Sequence, residues 1–181
     1  MYQSVYEVRE AFKRKENLNY LFFWGHTAPK DGGIGQSYLS QWYMSDFTID
    51  KVKYICMEQY MMAEKARLFK DEIVLKQILK SRDPKTMKAL GRKVKNFDEE
   101  IWKENRVDIV KNGNMAKFSQ NKTLRTVLIL TGDKILVEAS PFDRIWGIGM
   151  GINDKDIINP LMWKGENLLG FALMAVREEL K

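Results

Sequence analysis

The stretch that decides the fold is Cys56–Phe69, which reads CMEQYMMAEKARLF. It contains neither glycine nor proline, and its length predicts a single α-helix of about three to four turns. An advance of 100° per residue places five side chains along one stripe of this helix. They are Glu58, Met61, Met62, Lys65 and Phe69.

That stripe is apolar except for Glu58 and Lys65, which are two turns and about 10 Å apart along the axis. A bare charge in the interior is costly. The alternatives stay open: both groups lie at the edge of the stripe and snorkel to water, or each pairs with another group or faces a wet cavity. Tyr60, Glu64 and Arg67 are predicted on the other side of the helix, where solvated charge is ordinary.

The composition is that of an ordinary globular protein, with 181 residues, 45% hydrophobic and 30% charged. This predicts one domain over residues 1–181, with residues 1–18 as an N-terminal helical extension. The net charge of +6 mildly favours phosphate-bearing ligands. The basic residues are scattered, however, and the single basic triplet Lys13–Lys15 is too short to indicate a nucleic-acid-binding arm.

The one cysteine, Cys56, excludes an internal disulfide, and with the lone His26 it is too little for a Cys/His zinc site. A Cys56–His26 nucleophile pair is a minor alternative to a buried packing role for the thiol. No signal peptide and no apolar run of 18 residues is present, which predicts a cytoplasmic protein without a membrane partner. We expect no resident metal and no cofactor, although carboxylates and substrate phosphates could share Mg²⁺.

Helix-capping residues and turn residues predict the bounds of the other elements. Helices are expected over 5–15, 72–80, 85–90, 101–118, 123–130 and from about 168 to 180, and strands over 20–24 and 134–139. Two runs, 47–49 and 52–55, alternate across Asp50-Lys51 as a hairpin. The segment Thr27–Ser37 is predicted to be a surface loop from its glycines, proline and aspartate. It lacks the spacing of a phosphate-binding glycine motif, so a phosphate-binding role is not favoured.

One late stretch, Ser140–Gly151, combines alternating glycines with Asp143 and Trp146. Glycine lets the backbone approach a ligand closely, so the stretch is a candidate binding loop. The alternative is a plain exit from the preceding strand into a loop.

Taken in order, these segments resemble the NADAR family (NAD- and ADP-ribose-associated domains) from about Phe22 to Val176. The residues that carry the resemblance are Phe23–His26, Leu39–Trp42, Met57–Phe69, Ala89–Arg92, Phe97–Trp102, Ala116–Phe118, Leu136–Pro141, Asp143–Gly149 and Asn167–Gly170. One departure is visible: Glu58 is retained, but Gln59 stands where the family usually has histidine.

The resemblance implies an α+β fold, mainly helical with a small β-sheet, and cleavage of the N-glycosidic bond between ribose and a base-like nitrogen. It implies no cofactor. Glu58, Lys65 and Asp143 are the implied catalytic residues. The implied substrate-binding residues are Trp24, Gly25, Ser40, Trp42, Arg92, Trp102, Arg106, Trp146, Gly147 and Asn167.

Cleavage of an N-glycoside passes through an oxocarbenium-like transition state and needs negative charge near C1 and a proton for the departing nitrogen. We expect Glu58 to flank the anomeric carbon and Asp143 to hold sugar hydroxyls or the base edge, with Trp102 and Trp146 stacking on the base. Lys65 has two candidate roles. It could clamp a phosphate, or, desolvated, attack the opened ribose as a Schiff-base nucleophile.

The family's substrates include ADP-ribose attached to guanine and ribosylamino-pyrimidine phosphates of riboflavin synthesis. The longer first part, with Asp31–Gly35 and Leu39–Trp42, favours ADP-ribosylated guanine in a small molecule or in nucleic acid. A non-catalytic ADP-ribose or nucleotide sensor is the alternative of another class, although a sensor has no need of an acid near the anomeric carbon. A purely structural helical module leaves the two charges of the stripe unexplained.

Overall fold

The computed structural model describes residues 2–27 and 35–181. The helices are α1 (Val5–Lys13), α2 (Met57–Leu68), α3 (Glu72–Lys80), α4 (Pro84–Gly91), α5 (Glu99–Gln120), α6 (Lys122–Ile129) and α7 (Leu168–Leu180). The strands are β1 (Tyr20–Phe23), β2 (Phe47–Ile49), β3 (Val52–Tyr54) and β4 (Ile135–Glu138), and short 3₁₀ helices span Gln36–Leu39 and Pro160–Met162. The predicted mainly helical α+β fold with little sheet is confirmed.

Three aspartates cap the starts of α3, α4 and α5, and the first two are caps that the sequence predicts. Asp71 accepts a hydrogen bond from Val74 N at the start of α3, and Asp83 accepts from two backbone amides at the start of α4. Asp98 does the same for α5. Each carboxylate satisfies amides that have no partner within the helix, which is why these boundaries could be read from the sequence.

Contacts divide the chain into two compact units, Met1–Ser40 with Thr123–Lys181, and Gln41–Lys122. The prediction of one domain with an N-terminal extension stays a prediction. Most of the predicted loop Thr27–Ser37 lies outside the described residues.

In the unit Gln41–Lys122, α2 packs against α3, α4 and α5. The hairpin β2–β3 pairs Phe47 with Tyr54 in antiparallel register. Its two turn residues, Asp50 and Lys51, have φ of 49° and 65°, as a tight two-residue hairpin turn requires. The predicted hairpin is therefore confirmed.

The first two turns of α2, residues 57–63, are buried on every side. This corrects the prediction for Tyr60, which is buried against the rings of Phe47 and Tyr54 instead of lying on a solvated face. Glu64 and Arg67 are half-buried. The stripe predicts a helix with one buried face and one solvated face. Residues 57–63 of α2 instead have neighbours on every side, so no face of these turns is exposed.

In the other unit, β1 and β4 form a parallel pair with Tyr20 opposite Ile135 and Phe23 opposite Glu138. Helix α7 packs on β4. Helix α1 is tied to the second 3₁₀ helix by Arg9, which donates to the carbonyls of Pro160 (3.0 Å) and Trp163 (2.7 Å). In the described part of the chain, no helix is long and apolar enough to cross a membrane.

Candidate active site

Glu58 is the second residue of α2 and its side chain is only 2% exposed. Its Oε2 accepts a 3.0 Å hydrogen bond from the indole Nε1 of Trp42, and its backbone amide donates to the carbonyl of Gln41 at 2.9 Å. A carboxylate in the first turn also interacts favourably with the helix dipole. Glu58 therefore does not snorkel to water; it is a buried, oriented acid.

Lys65 lies two turns further along α2 and is half-buried between aromatic rings. Its Nζ is 3.9 Å from the ring centroid of Phe97 and 5.5 Å from that of Trp102, which is buried on α5. Desolvation lowers the pKa of Lys65, opposed by the nearby carboxylate of Glu99 and assisted by the charge of Arg92. The two aromatic faces stabilise the ammonium form.

Two further predicted residues belong to the same unit. Arg92 is exposed at the C-terminus of α4 and lies within electrostatic range of Lys65. Arg106 is buried on α5, one helical turn beyond Trp102, and its Nη1 is 3.9 Å from Glu99 Oε1. Lys65, Arg92, Arg106, Phe97 and Trp102 are hereafter the cation–aromatic group.

Asp143 lies in the glycine-bearing loop of the other unit. Its Oδ1 accepts hydrogen bonds from the backbone amides of Ile145 (2.9 Å) and Trp146 (2.8 Å), and its carbonyl accepts from Gly149 N at 3.0 Å. The side chain thus caps its own turn. Asp143 and Trp146 are both half-buried.

Gly147 and Asn167 hold this loop against β4. A Cβ on Gly147 would lie 2.8 Å from the carbonyl oxygen of Glu138, so only glycine fits there. The buried Asn167 amide accepts from Glu138 N and donates to Leu136 O, both at 2.9 Å, and its backbone amide donates to the Gly147 carbonyl at 3.2 Å. Asn167 therefore fastens the loop and α7 to β4.

The remaining predicted residues lie near the ends of elements in this unit. Trp24 is exposed just after β1, and Gly25 has φ of +84°, a conformation that favours glycine. Ser40 is half-buried and ends the first 3₁₀ helix, its amide donating to Ser37 O at 3.0 Å. The binding roles of all these residues stay predictions.

Comparisons with known proteins identify the family of this chain. A family model described as the NADAR domain matches residues 22–181. The chain belongs to the NADAR family.

Within that family the chain is 43% identical to N-glycosidase R617 of Acanthamoeba polyphaga mimivirus, over 91% of this chain and 98% of the relative. It is 31% identical to the riboflavin biosynthesis protein VVA0006 of Vibrio vulnificus, over 80% of this chain and 35% of that protein. The solution structure of the Escherichia coli protein YbiA superposes with a TM-score of 0.72 at 25% identity, covering 90% of this chain and 84% of YbiA.

Gln59, the departure from the usual NADAR histidine, has a structural role in this chain. Its Oε1 accepts from Ile55 N at 3.0 Å, and its Nε2 lies 3.1 to 3.3 Å from the carbonyls of Ile78, Leu79 and Ser81. A single buried amide therefore joins the segment before α2 to the last turn of α3, where carbonyls lack partners within the helix.

Sequence reasoning missed Phe97 and Glu99 as neighbours of Lys65, and it missed the burial of Lys117. Lys117 on α5 is fully buried, with Nζ 5.0 Å from the Phe118 ring centroid and 5.6 Å from that of Tyr43. Burial lowers its pKa to about 7. Its place inside the NADAR-like motif Ala116–Phe118 was the available signal.

The minor alternative of a Cys56 nucleophile finds no support. Cys56 is fully buried, and burial raises the pKa of its thiol to about 11. The thiolate is the reactive form of cysteine, and a raised pKa makes it scarce at neutral pH. Cys56 is instead packed against Met87.

Proposed function

We propose that this NADAR protein removes ADP-ribose from ADP-ribosylated guanine by hydrolysing the N-glycosidic bond between ribose and base. The prediction of an N-glycosidase is confirmed at the level of enzyme class, because the mimiviral relative matched over 98% of its length carries that name. The substrate and the roles of individual residues are our proposal.

The observation that carries it is the buried carboxylate of Glu58, held by the indole of Trp42. Charge developing on the ribose near C1 is stabilised most by a fixed negative group in a poorly solvated environment. The hydrogen bond fixes one carboxylate oxygen and so fixes the direction of the other. We assign to Glu58 the stabilisation of the oxocarbenium-like transition state or the orientation of the attacking water.

The cation–aromatic group supports a substrate with a phosphate and a ring. Lys65 and Arg92 influence each other electrostatically, and an anion between two like charges relieves their repulsion. We therefore assign Lys65 the phosphate-clamp role, since Phe97 and Trp102 favour its charged form. A group of several cations matches the pyrophosphate of ADP-ribose better than it matches a substrate with a single phosphate.

A second candidate substrate is a ribosylamino-pyrimidine phosphate. It is favoured by the similarity to the Vibrio vulnificus protein, whose name places it in riboflavin biosynthesis. Both substrates present a ribose joined to nitrogen, so Glu58 would have the same role. The sequence argument against this candidate rested on Leu39–Trp42 and on Asp31–Gly35, and residues 31–34 of the second segment lie outside the described part of the chain.

The deciding experiment incubates the purified protein with each substrate class and detects released base by mass spectrometry. We expect guanine release from the ADP-ribosylated substrate. Glu58→Gln should lower the rate at least about a hundredfold, the lower limit for acid–base groups. Glu64→Gln, on the same helix and paired with Arg67, is the matched control and should stay within about threefold of wild type.

Three outcomes would overturn parts of this proposal. Release from the pyrimidine substrate alone would replace guanine by the second candidate. Tight ADP-ribose binding without release of base from either substrate would make the protein a sensor. Normal turnover by Glu58→Gln would remove Glu58 from the mechanism.

A further inference from the structure

Two exposed apolar side chains flank Asp143. Phe142 is 86% exposed and Ile145 is 40% exposed. A single apolar side chain at the surface is ordinary and needs no explanation. Two of them on either side of a candidate substrate-binding acid mark this turn as a surface that meets another molecule.

The backbone that carries these side chains is fixed. Asp143 accepts three backbone hydrogen bonds from within the loop, through Oδ1 and its carbonyl. The next residue, Arg144, uses its carbonyl to accept from Glu166 N at 3.0 Å. The Phe142 ring is therefore displayed on a rigid turn, so a ligand that stacks on it does not first have to order the backbone.

Two cations lie beside the turn. A Cβ on Gly149 would be 3.0 Å from Arg144 Cγ and 3.1 Å from Lys164 Cβ, so the side chains of Arg144 and Lys164 both lie against this glycine. Both residues are exposed. Asp143 and the exposed Glu166 balance this charge locally, so the surface is amphipathic and not strongly basic.

Proteins that bind single-stranded nucleic acid combine such features, with aromatic rings on which bases stack and cations that follow the phosphates. We infer that Phe142, with Ile145 and Arg144, is a stacking ledge for an unmodified nucleobase of a single-stranded polynucleotide substrate. This inference rests on the proposed function. It makes Phe142 a specificity-determining residue that distinguishes a polynucleotide substrate from a free nucleotide.

The test compares two substrates, a short single-stranded oligonucleotide with one ADP-ribosylated guanine and the corresponding ADP-ribosylated guanosine monophosphate. Phe142→Ala should lower kcat/KM on the oligonucleotide about 5- to 100-fold, the range for one base–aromatic stack. On the mononucleotide it should change kcat/KM less than about twofold. Phe142→Trp should retain the oligonucleotide activity, because a larger ring still stacks.

Leu130→Ala is the matched control, since Leu130 is an exposed apolar residue in the same unit, at the turn after α6. It should leave both substrates unaffected. Equal losses on the two substrates, or no loss on the oligonucleotide, would overturn the ledge.

A binding measurement separates this inference from the proposed function. Fluorescence anisotropy of an unmodified, labelled single-stranded oligonucleotide needs no turnover. If wild type releases no guanine from either substrate, the proposed function fails, and the ledge still predicts at least about fivefold weaker oligonucleotide binding by Phe142→Ala. Equal affinity of wild type and Phe142→Ala would then overturn the ledge as well.

Discussion

Trp42 Nε1 and Glu58 Oε2 are joined by a 3.0 Å hydrogen bond across 16 positions of sequence. Trp42 lies before the β2–β3 hairpin, and Glu58 lies in the first turn of α2, which follows the hairpin. The hairpin therefore brings the start of α2 back beside the segment that precedes β2. An N–H group has no acceptor capacity, and the indole of Trp42 therefore orients Glu58 without competing for its proton. Trp42 was predicted to bind substrate; its contact with Glu58 adds a positioning role.

Replacing Trp42 by phenylalanine tests that role. The variant keeps an aromatic ring but removes the N–H donor. We expect kcat to fall by roughly 10- to 100-fold, because a hydrogen bond to a charged group contributes about 1.5–3 kcal/mol. Steady-state kinetics on the guanine-releasing reaction provide the measurement.

The matched control is Trp163→Phe, which removes the 2.7 Å indole hydrogen bond to the carbonyl of Ile157. It costs stability but should leave kcat within about threefold of wild type. Equal effects of the two variants on kcat would mean that Trp42 acts only through folding.

Lys65 gives the second prediction. If it clamps a phosphate as an ammonium ion, Lys65→Met should raise KM at least about tenfold, and Lys65→Arg should recover most of the loss. Desolvation lowers the pKa of Lys65, so the charged form disappears as pH rises through a value below the usual one. Wild-type KM should therefore increase towards alkaline pH, and Lys65→Met should lack that increase.

Borohydride trapping distinguishes the clamp from a covalent role. A Schiff-base nucleophile would form a reducible adduct with substrate at Lys65, whereas a clamp forms none. A trapped adduct at Lys65 together with an inactive Lys65→Arg would reverse the assignment.

The extent to which the sequence predicts this fold follows from the range of the interactions. Caps such as Asp71 and the turn Asp50-Lys51 depend on neighbours within four residues, and their predictions are confirmed. The parallel pairing of β1 with β4 joins Tyr20 to Ile135, more than a hundred positions apart, and no local pattern specifies it.

The candidate site shows the same division. Charges within an apolar stripe marked Glu58 and Lys65 as unusual, because burial of a charge is costly whatever surrounds it. Their partners Trp42 and Phe97 come from segments outside α2 and could not be derived from the stripe. Tyr60 was placed wrongly for the same reason, since helical periodicity gives directions around an axis but not how many of them are covered.

Gln59 gives the third prediction. Gln59→Leu leaves the Ile55 amide and the carbonyls at the end of α3 without their buried partner. We expect the free energy of unfolding to fall by about 2 kcal/mol or more, which lowers Tm by roughly 4–8 °C in a chain of this size. Calorimetry or a denaturant titration measures the loss.

Gln120→Leu is its exposed counterpart. The side-chain amide of Gln120 also makes two hydrogen bonds to backbone, accepting from Thr48 N and donating to Thr48 O at 2.8 Å each. Water can replace those bonds, so this variant should lose less than about 1 kcal/mol. A comparable loss of unfolding free energy in both variants would contradict the role of the buried Gln59 side chain in joining these two segments.

Lys117 gives the fourth prediction, in the pH dependence of stability. Burial lowers its pKa to about 7 in the folded protein, whereas an unfolded lysine titrates near 10.5. Between these values the unfolded chain holds a proton that the folded chain has lost, so the free energy of unfolding rises with pH across this window. Denaturant titrations from pH 6 to 9.5 should show wild type gaining about 1 kcal/mol per pH unit relative to Lys117→Met above pH 7.

Lys103→Met is the control for this experiment, because Lys103 is an exposed lysine on the same helix whose pKa is raised by its hydrogen bond to Glu100. The difference between wild type and this variant should not grow in the same direction between pH 7 and 9.5, since a raised pKa loses its stabilisation as pH rises. Parallel pH profiles for wild type and Lys117→Met would mean that Lys117 keeps an ordinary pKa despite its burial. A rising difference confined to Lys117 would show that α5 carries a buried amine that is largely neutral above pH 7.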